Sequence, residues 1–265
     1  MEINKIYNEN CLDTMARMPD NFIDLTVTSP PYDNLRTYNG YSFDFEAVAK
    51  ELYRVSKQGG VVAWVVNDAV IKGSEAGTSF RQALYFKETG FNLHDTMIYA
   101  KKNPIPLTHN RYEQCFEFMF IFSKGKPKTF NPILEEVKYV GISHGGGFRN
   151  RTLDETPTSR HRKATTNKKK IKGNIWYYKI GSNQTTKDKI AFQHPAIFPE
   201  QLASDHITSW SNEGDLVYDC FMGSGTTAKM SILNNRNWVG SEISQAYCEI
   251  AQKRIEQAQG QFQYF

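Results

Sequence analysis

The chain has 265 residues, with 32 Lys and Arg against 28 Asp and Glu, a formal net charge of +4. Hydrophobic residues make up 40% and charged residues 23%, the balance of a globular protein, which excludes wholesale disorder and a coiled coil. The longest unbroken apolar run, Val61 to Val66, is six residues, far short of a membrane span, and Met1 to Lys5 has no secretory h-region.

In chain order, Asp24 to Thr28 predicts a strand, bounded by Pro30-Pro31. Phe45 to Val55 predicts a helix, with Ala47, Val48, Leu52 and Val55 on one face, ended by Gly59-Gly60. Val61 to Val66 predicts a buried strand, Phe80 to Glu88 a helix, and Asp95 to Ala100 and Phe116 to Phe122 two strands. From about Phe130 to Ile190 the pattern dissolves into Gly, Thr, Lys and Arg around Asn174 to Tyr178 and reads as an inserted lobe. Order returns with a helix at Pro199 to Ser209, a strand at Leu216 to Asp219 and a helix from about Gly225 to Asn234. A strand at Trp238 to Gly240 and a helix at Gln245 to Gln259 complete the chain. Strands alternating with helices predict an open, mostly parallel α/β sheet.

Charge is distributed unevenly. Arg149 to Lys189 holds 12 basic residues against three acids, a local +9, so the remaining residues carry −5. Such a block faces a polyanion or forms a solvated basic loop. The four cysteines, Cys11, Cys115, Cys220 and Cys248, form no Cys-x-x-Cys pair; this argues against a disulfide scaffold or a metal site and for the cytoplasm.

Two motifs carry chemistry. Asp219-Cys-Phe-Met-Gly-Ser-Gly-Thr-Thr227 joins a strand to a helix, where small residues let a ligand approach the backbone. Glu242 follows at the end of the next strand, the place of an acid that binds ribose hydroxyls. The turn lacks both the dinucleotide and the P-loop patterns, which favours a nucleoside without pyrophosphate. The second motif, Thr28-Ser-Pro-Pro-Tyr32, ends a buried strand. The consecutive prolines remove backbone donors, leaving the Ser29 and Pro30 carbonyls as acceptors beside the Ser29 hydroxyl and the Tyr32 ring.

Ser29-Pro30-Pro31-Tyr32, the Phe221 to Thr227 turn and His194-Pro-Ala-Ile-Phe-Pro199 together resemble the β-group DNA amino-methyltransferases over nearly the whole chain. The resemblance implies a Rossmann-like methyltransferase sheet, circularly rearranged, with residues 1–129 as its catalytic half and 191–265 as its cofactor half. Residues 130–190 would be the inserted target-recognition region. S-adenosylmethionine is the implied cofactor, lined by Asp219, Phe221, Gly223, Ser224, Gly225, Thr226 and Thr227, with Glu242 on the ribose. His194, Pro195, Phe198 and Pro199 match the segment at the methionine end. Asn10 and Cys11 match an adenine-contacting stretch, in which Glu9 and Asn10 replace the family's Gly and Asp. Ser29, Pro30, Pro31 and Tyr32 become catalytic, acting on a base flipped out of the duplex.

Serine in the first catalytic position leans toward cytosine N4, with adenine N6 as the alternative and an inactive DNA-binding module as a further one. Double-stranded DNA is the implied partner, contacted by Arg149, Arg151, Arg160, Arg162, Lys163, Lys168, Lys169 and Lys170. A homodimer and a cognate restriction endonuclease stay open as further partners.

Overall fold

The recurring Val- and Phe-rich runs pair into one eight-stranded sheet. The computed structural model describes residues 1–31, 44–104, 111–137 and 168–261, with backbone alone at 148–150, 158–160 and 261. In chain order the elements begin with β1 (Lys5–Tyr7), α1 (Cys11–Ala16), β2 (Ile23–Thr28), α2 (Phe45–Val55) and β3 (Ser56–Val66). Two short strands follow, β4 (Val70–Ile71) and β5 (Ser74–Glu75), then α3 (Thr78–Glu88), β6 (Asn92–Lys101) and β7 (Phe116–Ser123). Next come β8 (Leu134–Glu136), β9 (Phe148–Asn150), β10 (Thr158–Arg160), β11 (Lys169–Ile171), β12 (Ile175–Tyr178) and a 3-10 turn over Lys189–Gln193. The chain closes with α4 (Glu200–Trp210), β13 (Leu216–Asp219), α5 (Thr226–Leu233), β14 (Asn237–Ser241) and α6 (Gln245–Gln261).

The sheet order is β1-β14-β13-β2-β3-β7-β6-β12. Neighbouring strands are parallel except where β7 runs against β3 and β6. The last two strands of the chain therefore sit between the first two, the circular rearrangement expected of the Rossmann-like methyltransferase sheet. This order also brings the carboxyl ends of β1, β14, β13 and β2 together at one edge.

Val61 to Val66 of β3 are all buried, as a strand covered on both faces requires. Helix α2 lays Val48, Leu52 and Val55 into the core, and the Asp44 carboxylate caps it by accepting from Ala47 N at 3.1 Å. Trp64 of β3 meets Phe86 of α3 at 5.1 Å, and Phe86 stacks on Phe122 of β7 at 4.4 Å. Gln82 Oε1 accepts from the Trp64 indole N–H at 2.9 Å, so this large buried ring leaves no unpaired donor. A smaller apolar cluster, Met222, Ala228, Trp238, Ala251 and Ile255, joins α5 and α6 to the sheet.

Residues 1–131 and 174–265 form one compact unit and Pro132–Gly173 a second. The inserted unit is thus shorter than the 130–190 expected from composition. Residues 175–178, which composition grouped with the basic lobe, form β12 and pair with β6, burying Trp176 and Tyr178. Within the second unit β8 pairs with β11 and β9 with β10, both antiparallel. Among the described residues no helix is long and apolar enough to cross a membrane.

Candidate active site

Below the sheet's carboxyl edge, Asp219 ends β13 with its carboxylate fully buried. Oδ1 accepts from Thr28 Oγ1 at 2.6 Å and from Phe221 N at 3.0 Å, and Oδ2 accepts from Thr227 Oγ1 at 2.7 Å. Thr227 Oγ1 also lies 3.2 Å from the Val27 carbonyl oxygen. One carboxylate therefore ties the end of β2, the turn after β13 and the first turn of α5. Burial pushes the Asp219 carboxyl above its usual range, opposed by the donors from Thr227, Thr28 and Phe221.

The turn itself depends on glycine at two points. Gly223 has φ +51°, and a Cβ there would approach His194 Nε2 to 2.9 Å. Gly225 has φ +79°, and its Cβ would meet the Ala251 Cβ of α6 at 2.8 Å. Glu242, just past β14, accepts from Gly223 N through Oε2 and from Ser244 N through Oε1, both at 2.8 Å. Each carboxylate oxygen has two acceptor positions, so one on each is left for a diol. Burial raises the Glu242 carboxyl above its usual range, with the Ser244 and Gly223 amides holding it down.

These groups open on one cavity. Glu242, Gly223, Ser224, Thr226 and Phe221 line one part, with His194, Phe198, Asn10 and Cys11, all expected at the cofactor. Ser29 and Pro31 line it too, together with Tyr99 of β6 and Glu117 of β7. His194 is oriented by accepting from Ala196 N at Nδ1, 3.1 Å, which leaves its proton on Nε2, and its ring meets Tyr247 at 4.3 Å. Asn10 caps α1, its Oδ1 accepting from Leu12 N at 2.9 Å. Glu9, beside it, pairs with Arg17 and accepts from Thr14 Oγ1 at 2.6 Å.

Other expected residues are placed differently. Asp219, Gly225 and Thr227 do not line the cavity; they stand behind it, where the carboxylate and α6 packing require them. Pro195, Pro199 and buried Pro30 also lie outside its lining, and Pro199 serves as the N-cap of α4. Asp68, just past β3, accepts from Ser79 N at 2.9 Å and from the Ser79 hydroxyl, and so caps α3. Cys11, Cys220 and Cys248 are buried thiols; burial pushes Cys11 and Cys248 up to about 12 and Cys220 higher than usual, so none is a nucleophile near neutral pH.

Of the expected DNA contacts, Lys168, Lys169 and Lys170 are exposed, and Lys170 pairs with Glu135 across the β8–β11 ladder at 2.9 Å. Arg149 and Arg160 fall on adjacent register positions of the β9–β10 hairpin. Tyr32, Arg151, Arg162 and Lys163 lie outside the described residues.

The sequence reading missed a buried charge ring behind the turn. Arg254 of α6 is fully buried and pairs with Asp188 Oδ2 through Nε at 3.0 Å and with Glu200 Oε1 through Nη2 at 2.6 Å. Lys229 of α5 joins the same two oxygens at 2.7 and 2.8 Å. Arg254 Nη1 then donates to the Ser224 carbonyl at 2.6 Å, Ser224 Oγ at 3.0 Å and Thr226 Oγ1 at 3.1 Å, holding the turn from below. One signal was available: Arg254 stands inside the apolar stripe Ile250, Ala251, Ile255 and Ala258, where an unpaired cation would be costly.

A family model described as DNA methylase matches residues 23–253. The orphan methyltransferase M.BamHII of Bacillus amyloliquefaciens is 60% identical over 236 residues, covering 88% of this chain and 89% of that protein. The type II methyltransferase M1.MboII of Moraxella bovis is 27% identical, covering 93% and 94%. Among solved structures, the PvuII DNA methyltransferase (cytosine-N4-specific) superposes with TM-score 0.69 at 20% identity, over 97% of this chain and 90% of that one. A DNA modification methylase of Thermus thermophilus, complexed with S-adenosyl-L-methionine, gives TM-score 0.64 at 21% identity, over 96% and 93%.

Proposed function

The chain belongs to the β-group DNA amino-methyltransferases, enzymes that move a methyl group from S-adenosylmethionine to an exocyclic amino group of a DNA base, and on that premise we propose that its target is cytosine N4. One observation carries the reading. Ser29 and Pro31 line the same cavity as Glu242 and Gly223, so the groups that hold a nucleoside and the groups that grip an amine share one space.

The residues fit the cofactor. Glu242 has acceptor positions for ribose hydroxyls, and Gly223 leaves open a space that a Cβ could not share with His194. Asn10 and Cys11 border the cavity where the adenine ring is expected, and His194 and Phe198 where the methionine end is expected. S-adenosylmethionine supplies an electrophilic methyl group.

The protein's own task is to make a poor nucleophile available. The Ser29 hydroxyl on the cavity wall accepts one amino hydrogen of the base, and the Pro30 carbonyl, which stands behind that wall, is the second acceptor that the family resemblance implies. Together they draw the nitrogen out of conjugation so that its lone pair faces the donor. The target base leaves the duplex to reach them, and Tyr32 stacks on its ring. A hydroxyl at position 29 suits cytosine, where a carboxylate would bind the adenine amine more strongly. The basic residues of the inserted region, Arg149 to Lys170, neutralise phosphates of double-stranded DNA. The name of the 60% identical relative favours an orphan enzyme over one paired with a restriction endonuclease, and cysteines without a Cys-x-x-Cys pair favour the cytoplasm.

Incubating the protein with duplex DNA and labelled S-adenosylmethionine, then separating the nucleosides, tests this directly. N4-methylcytosine is the expected product; N6-methyladenine overturns the base assignment. Ser29→Ala should cut turnover by at least tenfold and leave cofactor affinity unchanged; equal loss of both would show that Ser29 is not the amine's acceptor.

A further inference from the structure

We propose that Tyr99 reads the flipped base, its hydroxyl donating to the ring nitrogen beside the methylated amino group, N3 in cytosine. This rests on the amino-methyltransferase activity but not on the choice of base, because adenine presents N1 in the corresponding place.

Tyr99 lies near the carboxyl end of β6 and is only 3% exposed, yet it lines the cavity with Ser29 and Pro31. Its hydroxyl has no hydrogen-bond partner among the described residues. A phenol on the wall of a cavity with no partner from the protein leaves its O–H to whatever polar atom enters that space. The polar side-chain atoms that are sealed without a partner, such as Trp210 Nε1, Trp238 Nε1 and His206 Nδ1, belong to residues that do not line this cavity, and the Tyr99 hydroxyl is not one of them.

The ring is held on two sides. Tyr178 meets it edge-on at 5.7 Å and is itself fixed by donating to Asp205 Oδ2 at 2.7 Å. Lys101 Nζ sits 5.9 Å from the ring centre and is held at 2.8 Å by Glu117, the residue paired with Tyr99 across the β6–β7 ladder. Burial, with the Glu117 carboxylate adding to it, keeps the phenol protonated far above neutral pH, so it acts as a donor.

The sheet order places this donor suitably. Three strand spacings, β2 to β3 to β7 to β6, separate Ser29's strand from Tyr99's, about 14 Å in all. Both residues line one cavity, which the flipped base bridges between Ser29 and the phenol. Ser29 and Pro30 accept from the amine while Tyr99 donates to the adjacent acceptor, a donor–acceptor pair that thymine does not offer. A hydrogen bond at the ring nitrogen does not itself strengthen the amine as a nucleophile, so Tyr99 selects and positions the base.

A chemical double-mutant cycle tests this. The modified site is first mapped by sequencing DNA methylated by the wild type, and duplexes are then made with 3-deazacytosine at the target. That base keeps the amine and replaces the ring acceptor with C–H. Wild type should lose roughly tenfold or more in kcat/KM on the deaza duplex. Tyr99→Phe should show a similar loss on the parent duplex, no further loss on the deaza duplex, and unchanged cofactor affinity. Losses that multiply, or a Tyr99→Phe enzyme as active as wild type, would overturn the assignment. Should Tyr99→Phe fail to fold, the wild type decides alone: equal rates on both duplexes overturn it. An adenine product would remove the cytosine reading, and 1-deazaadenine would then carry the same test of Tyr99.

Discussion

Replacing Arg254 with methionine keeps much of the side-chain volume while removing one cation from a neutral ring of two cations and two carboxylates. Asp188 and Glu200 then share Lys229 alone, and the ring carries a net negative charge. Breaking a buried ion pair from one side costs about 3–5 kcal/mol. The carboxylates here retain Lys229 and are 18% and 19% exposed, so the low end applies, about 3 kcal/mol. For a chain of this size that corresponds to a fall in Tm of about 6–12 °C. The Ser224 carbonyl and the Thr226 hydroxyl also lose their donor, which frees the turn that lines the cavity.

Thermal unfolding and titration with S-adenosylmethionine, run side by side, separate the two effects. Lys229→Met is the control, because its ammonium touches the same carboxylates but not the turn. Both variants should lose comparable stability, while Arg254→Met should lose about tenfold more cofactor affinity, the worth of one charged hydrogen bond. An Arg254→Met protein that melts with wild type refutes the ring as a stabilising element. One that is destabilised but binds cofactor no worse than Lys229→Met refutes its hold on the turn.

Glu242→Gln places an amide against the Gly223 and Ser244 N–H groups and should weaken cofactor binding by tenfold or more in calorimetry. Because burial raises the Glu242 carboxyl, wild-type cofactor affinity should fall on acidification from above pH 4.5, as the ribose acceptor is protonated, and the variant should lack that step. His206 is fully buried, and burial pulls its pKa down to about 3, so the unfolded chain takes up the proton first. Stability should therefore fall as pH drops from about 6.5 toward 3, by up to about 1.4 kcal/mol per pH unit, and His206→Leu should flatten that limb of a denaturant–pH profile. Gly225→Ala combines a left-handed backbone with a Cβ 2.8 Å from Ala251 and should cost about 2–5 kcal/mol in urea unfolding. Adding Ala251→Gly should recover only the steric part.

Local pattern was sufficient for most of the sheet. The expected helix at Phe45 to Val55 and the strand at Leu216 to Asp219 match to the residue, because an amphipathic stripe or a short apolar run bounded by Gly or Pro is written within a few neighbours. The three-residue strand β1 escaped, and Ile175 to Tyr178 was grouped with the inserted lobe, since the pairing of β1 with β14 and of β12 with β6 comes from residues far along the chain. The motif reading likewise located the groups that meet at the cavity: Ser29, Gly223, His194 and Glu242.

Sequence alone therefore determined most of the strands, the order of motifs, the cofactor and the chemistry of the amine, each encoded in residues close together. Tertiary structure decided which of those residues face the cavity. Asp219 belongs to the cofactor motif, but its carboxylate binds Thr28 and Thr227, 191 and eight positions away, and it holds the two motifs in register from behind. Tyr99 and Arg254 belong to no motif. One acquires its role from a strand order that sets β6 beyond β3 and β7, the other from carboxylates 66 and 54 positions upstream. Hydrogen bonds and ion pairs act over about 3 Å of space whatever the separation along the chain, and only the folded chain brings these partners within that distance.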